Sequence, residues 1–369
     1  MDVHLTERKK EVFTGLFAIV FFFGAFLAAE IGLRMVNLGK FGTASGSVEK
    51  SKFYYVDEST GLRLQTPNAT QGNIVINSLG YRGPEIATPK PRNTIRLVFL
   101  GSSTTQDGYA SNNDATWPHR TVEALRTLFP DCSFDYVNAG IPGYSVSAIM
   151  RYFESYVQYT EPDVTVIYAL DVQSALASLA KRTGFSGALK LSPSWLARHS
   201  LLWEKIEKNL DILKLQRAAF DESGKLEVAD TSELTRSYEE KLSELIQLTN
   251  SYGLSALVTG GSRISREQTK EEQIEAVQTT LYYIPYVSIH TVLNAYEVFN
   301  ETIARVAAES NAVFIGGEDE IPSDLSHYAD SVHFTDRGSR LMGERVSKKL
   351  AQSSDFQELL RKKGDCRAG

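Results

Sequence analysis

Cysteine is almost missing from this 369-residue chain: Cys132 and Cys366 are the only two. That excludes the disulfide framework of a small secreted domain, and both are expected to be free thiols, Cys132 beside a strand and Cys366 in the tail. So few thiols suit an oxidising compartment. Also missing is any block of one charge. The 39 basic and 45 acidic residues are spread along the chain to a net −6. No basic stripe with interleaved aromatics occurs, so nucleic acid is not an expected partner. His119, His199, His290 and His327 show no ligand spacing and there is no H-E-x-x-H, so no metal is expected. Glycine-rich phosphate loops are absent too, and no cofactor is expected.

Long apolar runs are absent with one exception. Residues 12–29 read VFTGLFAIVFFFGAFLAA, without a charge. At a helical rise this covers roughly 27 Å, and residues 31–33 bring it close to the thickness of a bilayer core. A cleaved signal peptide is the competing reading, but the run exceeds the usual apolar region of one and no A-x-A site ends it. A single-pass helix over 12–36, after a short tail over 1–11, is the expectation. Arg8, Lys9 and Lys10 precede the run and Arg34, Lys40, Lys50 and Lys52 follow it. Charge on both flanks leaves the orientation open under the positive-inside rule. Arg34 stands one helical turn after Glu30, spaced for an ion pair.

The chain as a whole has ordinary globular composition, 42% hydrophobic and 23% charged, so a folded domain is expected beyond the apolar run. Residues 37–94 form a linker rich in Gly, Ser, Asn and Pro, with short strands expected at 53–55 and 74–76 and a turn-rich loop at 77–84. From 95 onward apolar strands alternate with amphipathic helices. Strands are expected at 95–100 (IRLVFL), 134–137, 164–170, 254–259 and 312–315. Val292, Tyr296, Phe299, Ile303 and Val306 mark one helix face, and Met342, Val346 and Leu350 another. Asp230 and Glu233 are spaced as a capping box for the helix carrying Leu234, Tyr238, Leu242 and Leu245. Near-continuous apolar strands between such helices imply an α/β fold, a parallel sheet covered on both faces. The stretch at about 172–253 is too long for one crossover and is expected to hold a helical insertion, a candidate lid. Residues 353–369 are read as a C-terminal tail.

Four segments end core strands or precede the closing helix: Gly101-Ser-Ser-Thr-Thr105, Asn138-Ala-Gly-Ile-Pro-Gly-Tyr144, Ala169-Leu-Asp171 and Asp330-Ser-Val-His333. In open α/β folds the strand-to-helix loops share one sheet edge, where the chemistry sits. Ser103, between a strand and a helix start, has an exposed hydroxyl and an unengaged N–H. An Asp three residues before a His lets one loop supply both base and orienter: Asp330 can hold Nδ1–H of His333 while Nε2 faces the serine. Gly140 offers a backbone N–H with no side chain in the way. Each feature has a blander meaning, a helix cap for the serine, a capping histidine, a tight turn for the glycine. Their order along the chain is what favours the chemical one.

In that order and spacing the chain resembles the SGNH/GDSL hydrolases, over roughly residues 95–352. The resemblance implies a flavodoxin-like three-layer fold and a serine esterase with Ser103 as nucleophile, Asp330 and His333 completing the triad, and Ser103, Gly140 and the third-block residue as oxyanion donors. Phe334-Thr-Asp-Arg-Gly338 after the histidine is also similar. Gly80-Tyr-Arg-Gly-Pro84 resembles a membrane-anchored bacterial branch, which implies a catalytic domain on the extracytoplasmic side. The G-x-S-x-G elbow of the α/β-hydrolases proper is absent, which disfavours that superfamily.

Two positions depart from that family. Ser102 stands where the family has Asp before the nucleophile. Asp171 stands where it has an oxyanion-binding Asn, and an ionised carboxylate cannot donate. Losing one such donor typically costs about 10²–10³ in rate. A protonated Asp171, an Asp171 turned away, or an amide from Gln173 would each restore the site. Asp171 equally suits a non-catalytic scaffold or glycan-binding subunit, and transfer of the acyl group to a sugar hydroxyl is a third reading. The expected substrate is an acylated small molecule, lipid or polysaccharide. The aromatic run at 281–287, with Tyr282, Tyr283 and Tyr286, is a candidate cleft lining or simply packing.

Overall fold

The computed structural model describes residues 7–37, 53–183, 194–220, 225–228 and 232–363. The apolar N-terminal run is one helix, α1 (Glu7–Asn37). Its stretch Val12–Arg34 has a mean hydropathy of 2.4, is long and apolar enough to cross a membrane, and is not covered by the rest of the protein. Glu30 is the exception within it, buried and paired with Arg34 at 2.7 Å, the pairing their spacing implies.

Two antiparallel hairpins come next. β1 (Tyr54–Val56) pairs with β2 (Arg63–Gln65), and β3 (Thr70–Gln71) with β4 (Ile74–Val75). The main body opens with β5 (Thr94–Gly101), the one-turn helix α2 (Ser103–Gln106) and α3 (Trp117–Leu128). It continues through β6 (Ser133–Gly140), α4 (Val146–Ser155), β7 (Val164–Tyr168) and α5 (Val172–Arg182). Helices α6 (Trp195–His199), α7 (Leu201–Phe220) and α8 (Ser232–Asn250) come before β8 (Leu254–Val258). Helices α9 (Lys270–Ala276), α10 (Gln278–Tyr283) and α11 (Ile289–Glu309) then lead to β9 (Val313–Ile315). The described chain closes with α12 (Asp336–Gln352) and α13 (Ser354–Lys363).

The five strands form one parallel sheet in the order β6-β5-β7-β8-β9, the flavodoxin-like order. Strand alternation divides the core into two layers. Val98 and Leu100 of β5 point to the side of α4, α5, α8 and α11, whereas Ile95, Leu97 and Phe99 point to α3, α12 and α13. A fully buried Leu or Phe contributes roughly 1.5–3 kcal/mol, which is why the expected faces of α11 and α12 all lie inward. Within the stretch expected as an insertion, α5 and α8 pack on the sheet through Leu176, Leu179, Leu242 and Leu245. Glu233 pairs with Arg182 at 3.0 Å, and its expected capping partner Asp230 lies outside the described residues.

Two expectations fail. Residues 354–363 are not a tail but a helix, because Phe356 and Leu360 are apolar one turn apart and fill the second core layer against Phe129. Lys363 then reaches Asp163 at 2.7 Å. Cys132 is not a free thiol: it is disulfide-bonded. It is buried in the same layer as α13, and a buried sulfur needs only one partner brought close. Cys366 lies outside the described residues.

Candidate active site

β5 ends at Gly101, and the chain turns at once into α2, whose first residue is Ser103. An N–H in that first position has no partner within its helix. The turn is tight because β6 closes on it: a Cβ on Gly140 would stand 2.2 Å from the Gln106 nitrogen, so only glycine fits. The N–H of Gly140 donates to Asn138 Oδ1 at 3.1 Å.

Ser103 Oγ lies 2.8 Å from His333 Nε2, and His333 Nδ1 lies 2.8 Å from Asp330 Oδ2. The other carboxylate oxygen of Asp330 accepts from the backbone N–H groups of Val332 and His333, both at 2.9 Å. With Nδ1 carrying the proton toward the carboxylate, Nε2 is left as the acceptor for the serine hydroxyl. Burial raises the Asp330 carboxyl, but the hydrogen bond and charge of His333 and the two N–H groups outweigh it, and the group ends below its usual value. Asp330 is therefore an anion at neutral pH, which suits an orienter.

The loop bearing Asp330 and His333 is held on several sides. Ser331 Oγ accepts from the N–H groups of Thr279 and Thr280, at the start of α10. The Ser331 carbonyl accepts from the Arg263 N–H at 2.9 Å. Gly338, at the start of α12, packs so close that a Cβ would lie 2.1 Å from the His327 carbonyl oxygen. Asp336 Oδ1 accepts from the Ser111 N–H at 2.7 Å, which ties the histidine loop to the segment after Ser103.

Asp171 occupies the position just before α5 without a capping hydrogen bond from its side chain, and among the described residues no hydrogen bond joins it to Ser103 or His333. Burial pushes its carboxyl up to about 6, opposed by a hydrogen bond from Ser174. The amide of Gln173 is engaged elsewhere, donating to Thr280 Oγ1 at 3.2 Å. Of the aromatic run, Tyr283 alone is acted on by the Asp330 charge. Tyr282 instead lies under Lys208 of α7, and Leu281, Ile284 and Val287 are core.

Three residues of the site carry no sequence signal of their role strong enough to single them out. The Tyr109 ring stands 5.3 Å from the His333 ring, tilted by 38°. Its phenol is pushed up to about 12 by burial first and by Asp330 second. Asp107 ends α2 in a left-handed conformation (φ 62°) and is fully buried. Arg82, in the Gly-Tyr-Arg-Gly segment, is also fully buried. Its Nη1 donates to the carbonyls of Gln106 and Asp107 at 2.9 and 2.6 Å, and its Nη2 to those of Asn73 and Asn112. The one hint of Arg82 is a charged residue inside a Gly-rich turn, where a buried fork of donors finds free carbonyls.

No protein-family model matches the chain, and no curated protein does. Among solved structures it is similar to an acetylxylan esterase from Geobacillus stearothermophilus, at 14% identity and a TM-score of 0.43, over 70% of this chain and 96% of that one. It is similar also to an alpha/beta hydrolase enzyme from the metagenome of Lake Arreo, Spain, at 15% identity and a TM-score of 0.42, over 69% and 94%. An overlap this loose says nothing of chemistry.

Proposed function

We propose that this chain is a serine-dependent ester hydrolase of the SGNH type, working through an acyl-serine intermediate at an extracytoplasmic membrane surface. The observation that carries the proposal is the unbroken relay from Ser103 Oγ to His333 Nε2 and from His333 Nδ1 to Asp330, at 2.8 Å each. Ser103 Oγ attacks the ester carbonyl as His333 takes its proton. The resulting imidazolium sits beside the Asp330 anion, which stabilises it. His333 then returns the proton to the leaving alcohol, and water repeats the sequence to release the acid. The Ser103 N–H, first in α2, faces the developing oxyanion. The Gly140 N–H is the second donor once it exchanges Asn138 for substrate, and Asp171 is the third only in its protonated form.

The disulfide at Cys132 favours an oxidising compartment. With α1 read as an uncleaved anchor, the disulfide supports a catalytic domain outside the cytoplasm, acting on acylated polysaccharides or lipids. Labelling by a fluorophosphonate, together with hydrolysis of p-nitrophenyl acetate, tests the chemistry. Neither occurring in folded protein, with Ser103 unmodified, would overturn it.

A second reading is favoured by one observation: two of the three oxyanion positions are compromised at neutral pH, Asp171 by its charge and Gly140 by its bond to Asn138. A glycan-binding subunit that retains the fold would tolerate both. Transfer to a sugar hydroxyl uses the same acyl-serine, and product analysis with an acceptor glycan separates it from hydrolysis.

A further inference from the structure

Helix α7 turns a stripe of apolar side chains outward. Trp203, Ile206, Leu210 and Leu213 recur at spacings of three, four and three, which places them on one helix face. That face points outward: Leu210 is 52% and Leu213 51% exposed. About 150° around the helix stand Glu204, Lys208 and Asp211. These polar residues face the protein, Lys208 lying 5.1 Å over the Tyr282 ring of α10. The charges of Asp211 and Glu204 act on the same phenol, which burial raises first. A soluble protein turns the apolar stripe in and the charges out. Here four apolar side chains are turned outward, with the exposed Lys214 at the edge of the stripe, so this part of α7 suits an apolar neighbour.

The position of α7 says which medium. Its N-terminus is clamped to α1 by Glu30, whose carboxylate accepts from Ser200 Oγ at 2.9 Å and from the N–H groups of Leu201 and Leu202 at 3.0 and 2.8 Å. Arg34 adds a bond to the His199 carbonyl at 3.2 Å. The apolar stripe thus begins at the end of the apolar helix. Beside it, α6 is held to α7 by Ser194 and Glu207, and it exposes Trp195 to 68%. Tryptophan is the side chain enriched where acyl chains meet headgroups.

We propose that the outer face of α7, with Trp195 of α6, is a second membrane contact, seated in the lipid leaflet that α1 enters. Such a helix lies in the plane of the interface, roughly 5–10 Å into the headgroup–acyl boundary. The inference rests on reading α1 as a membrane span. It has a functional side, since α10 touches both α7, through Tyr282, and the loop of Asp330 and His333, through Ser331. A lipid-seated α7 would hold the mouth of the site against the bilayer and select esters carried by membrane lipids or by polymers tethered to them.

The chain reports on this itself. Of its three tryptophans, Trp117 is fully buried in the core, and the other two are Trp195 and Trp203. The full chain is reconstituted in vesicles of phosphatidylethanolamine and phosphatidylglycerol with brominated acyl chains. Loss of a large share of tryptophan emission is expected, and no such loss in the variant combining Trp195→Phe with Trp203→Phe. A chain with Ile206→Glu and Leu210→Glu should lose the quenching yet hydrolyse a soluble ester at the native rate. Retention of the chain through alkaline carbonate extraction with unquenched tryptophans would overturn this inference and leave α1 as a span. Extraction by carbonate would overturn both. Cross-linking of Leu210→Cys between copies, with unquenched tryptophans, would assign the face to a second copy instead.

Discussion

Ser339 Oγ donates to Asp107 Oδ2 at 2.7 Å, across 232 positions of sequence. The same oxygen accepts from the Trp117 N–H at 2.9 Å. One buried carboxylate therefore joins the end of the helix that begins at Ser103 to the helix that comes after His333. The contact is one of those that fix the segment of Ser103 against the segment after His333.

Burial raises the Asp107 carboxyl from 3.8 to about 6, more than its hydrogen bonds from Ser339 and Trp117 lower it. An acid whose folded value exceeds its unfolded value holds its proton more tightly when folded. Its contribution to stability is full below about pH 4 and is lost as pH rises through about 6, on the order of 3 kcal/mol. Urea unfolding of the native chain and of Asp107→Asn, at pH 4 and pH 7, should show the native chain losing ground to the variant by up to that amount. A difference that stays constant with pH would refute the assignment.

The Asp330→Asn variant should keep the fold and lose about 10⁴-fold in turnover, because an amide favours the wrong imidazole tautomer. Ser103→Ala should lose fluorophosphonate labelling altogether. Steady-state rates with p-nitrophenyl acetate and mass spectrometry of the labelled peptide check both.

Asp171 gives a prediction of opposite sign. Its carboxyl, pushed up to about 6 by burial, can donate below that pH and is an anion above it. Asp171→Asn should match the native chain at about pH 5 and outperform it progressively toward pH 8, by up to about 10²-fold if the side chain faces the oxyanion. The ratio of the two pH–rate profiles is the measurement, and a flat ratio would mean that Asp171 does not face the reaction.

Arg82→Lys should behave as a severe change. A lysine keeps the charge but cannot bridge the carbonyls of Gln106, Asp107, Asn73 and Asn112 from one planar group. Each buried carbonyl left bare costs about 1–3 kcal/mol. Thermal unfolding should shift down by several degrees, and kcat should fall with little change in KM, since Arg82 supports the turn under Ser103 and touches no substrate.

The sheet is legible in the sequence because its strands are short apolar runs with no polar interruption, as in residues 95–100, and such runs have few other fates in a chain of this composition. Ser103, Asp330 and His333 stand out because their local surroundings carry information: a strand end before the serine, a three-residue step between acid and base. Arg82, Asp107 and Tyr109 leave no such trace. What Arg82 binds are backbone carbonyls, which look the same in every sequence, and the partner of Asp107 lies near the other end of the chain. Glu30 reads only as the ion-pair partner of Arg34, though it also accepts from the first N–H groups of α7. The helix over 354–363 is easily passed over because Phe356, Leu359 and Leu360, though spaced as one helix face, make up barely more than a single turn in a strongly charged segment.

That last helix acts at the pole of the sheet opposite the serine. Lys363 reaches Asp163, just before β7 begins, where Lys90 and the Arg96 N–H also meet the same carboxylate. Asp171 stands past the other end of that strand. Peeling α13 away would thus loosen the domain from its far side while Ser103, Asp330 and His333 stayed assembled, so a purification handle fused behind it should depress yield and shelf life before it disturbs that trio.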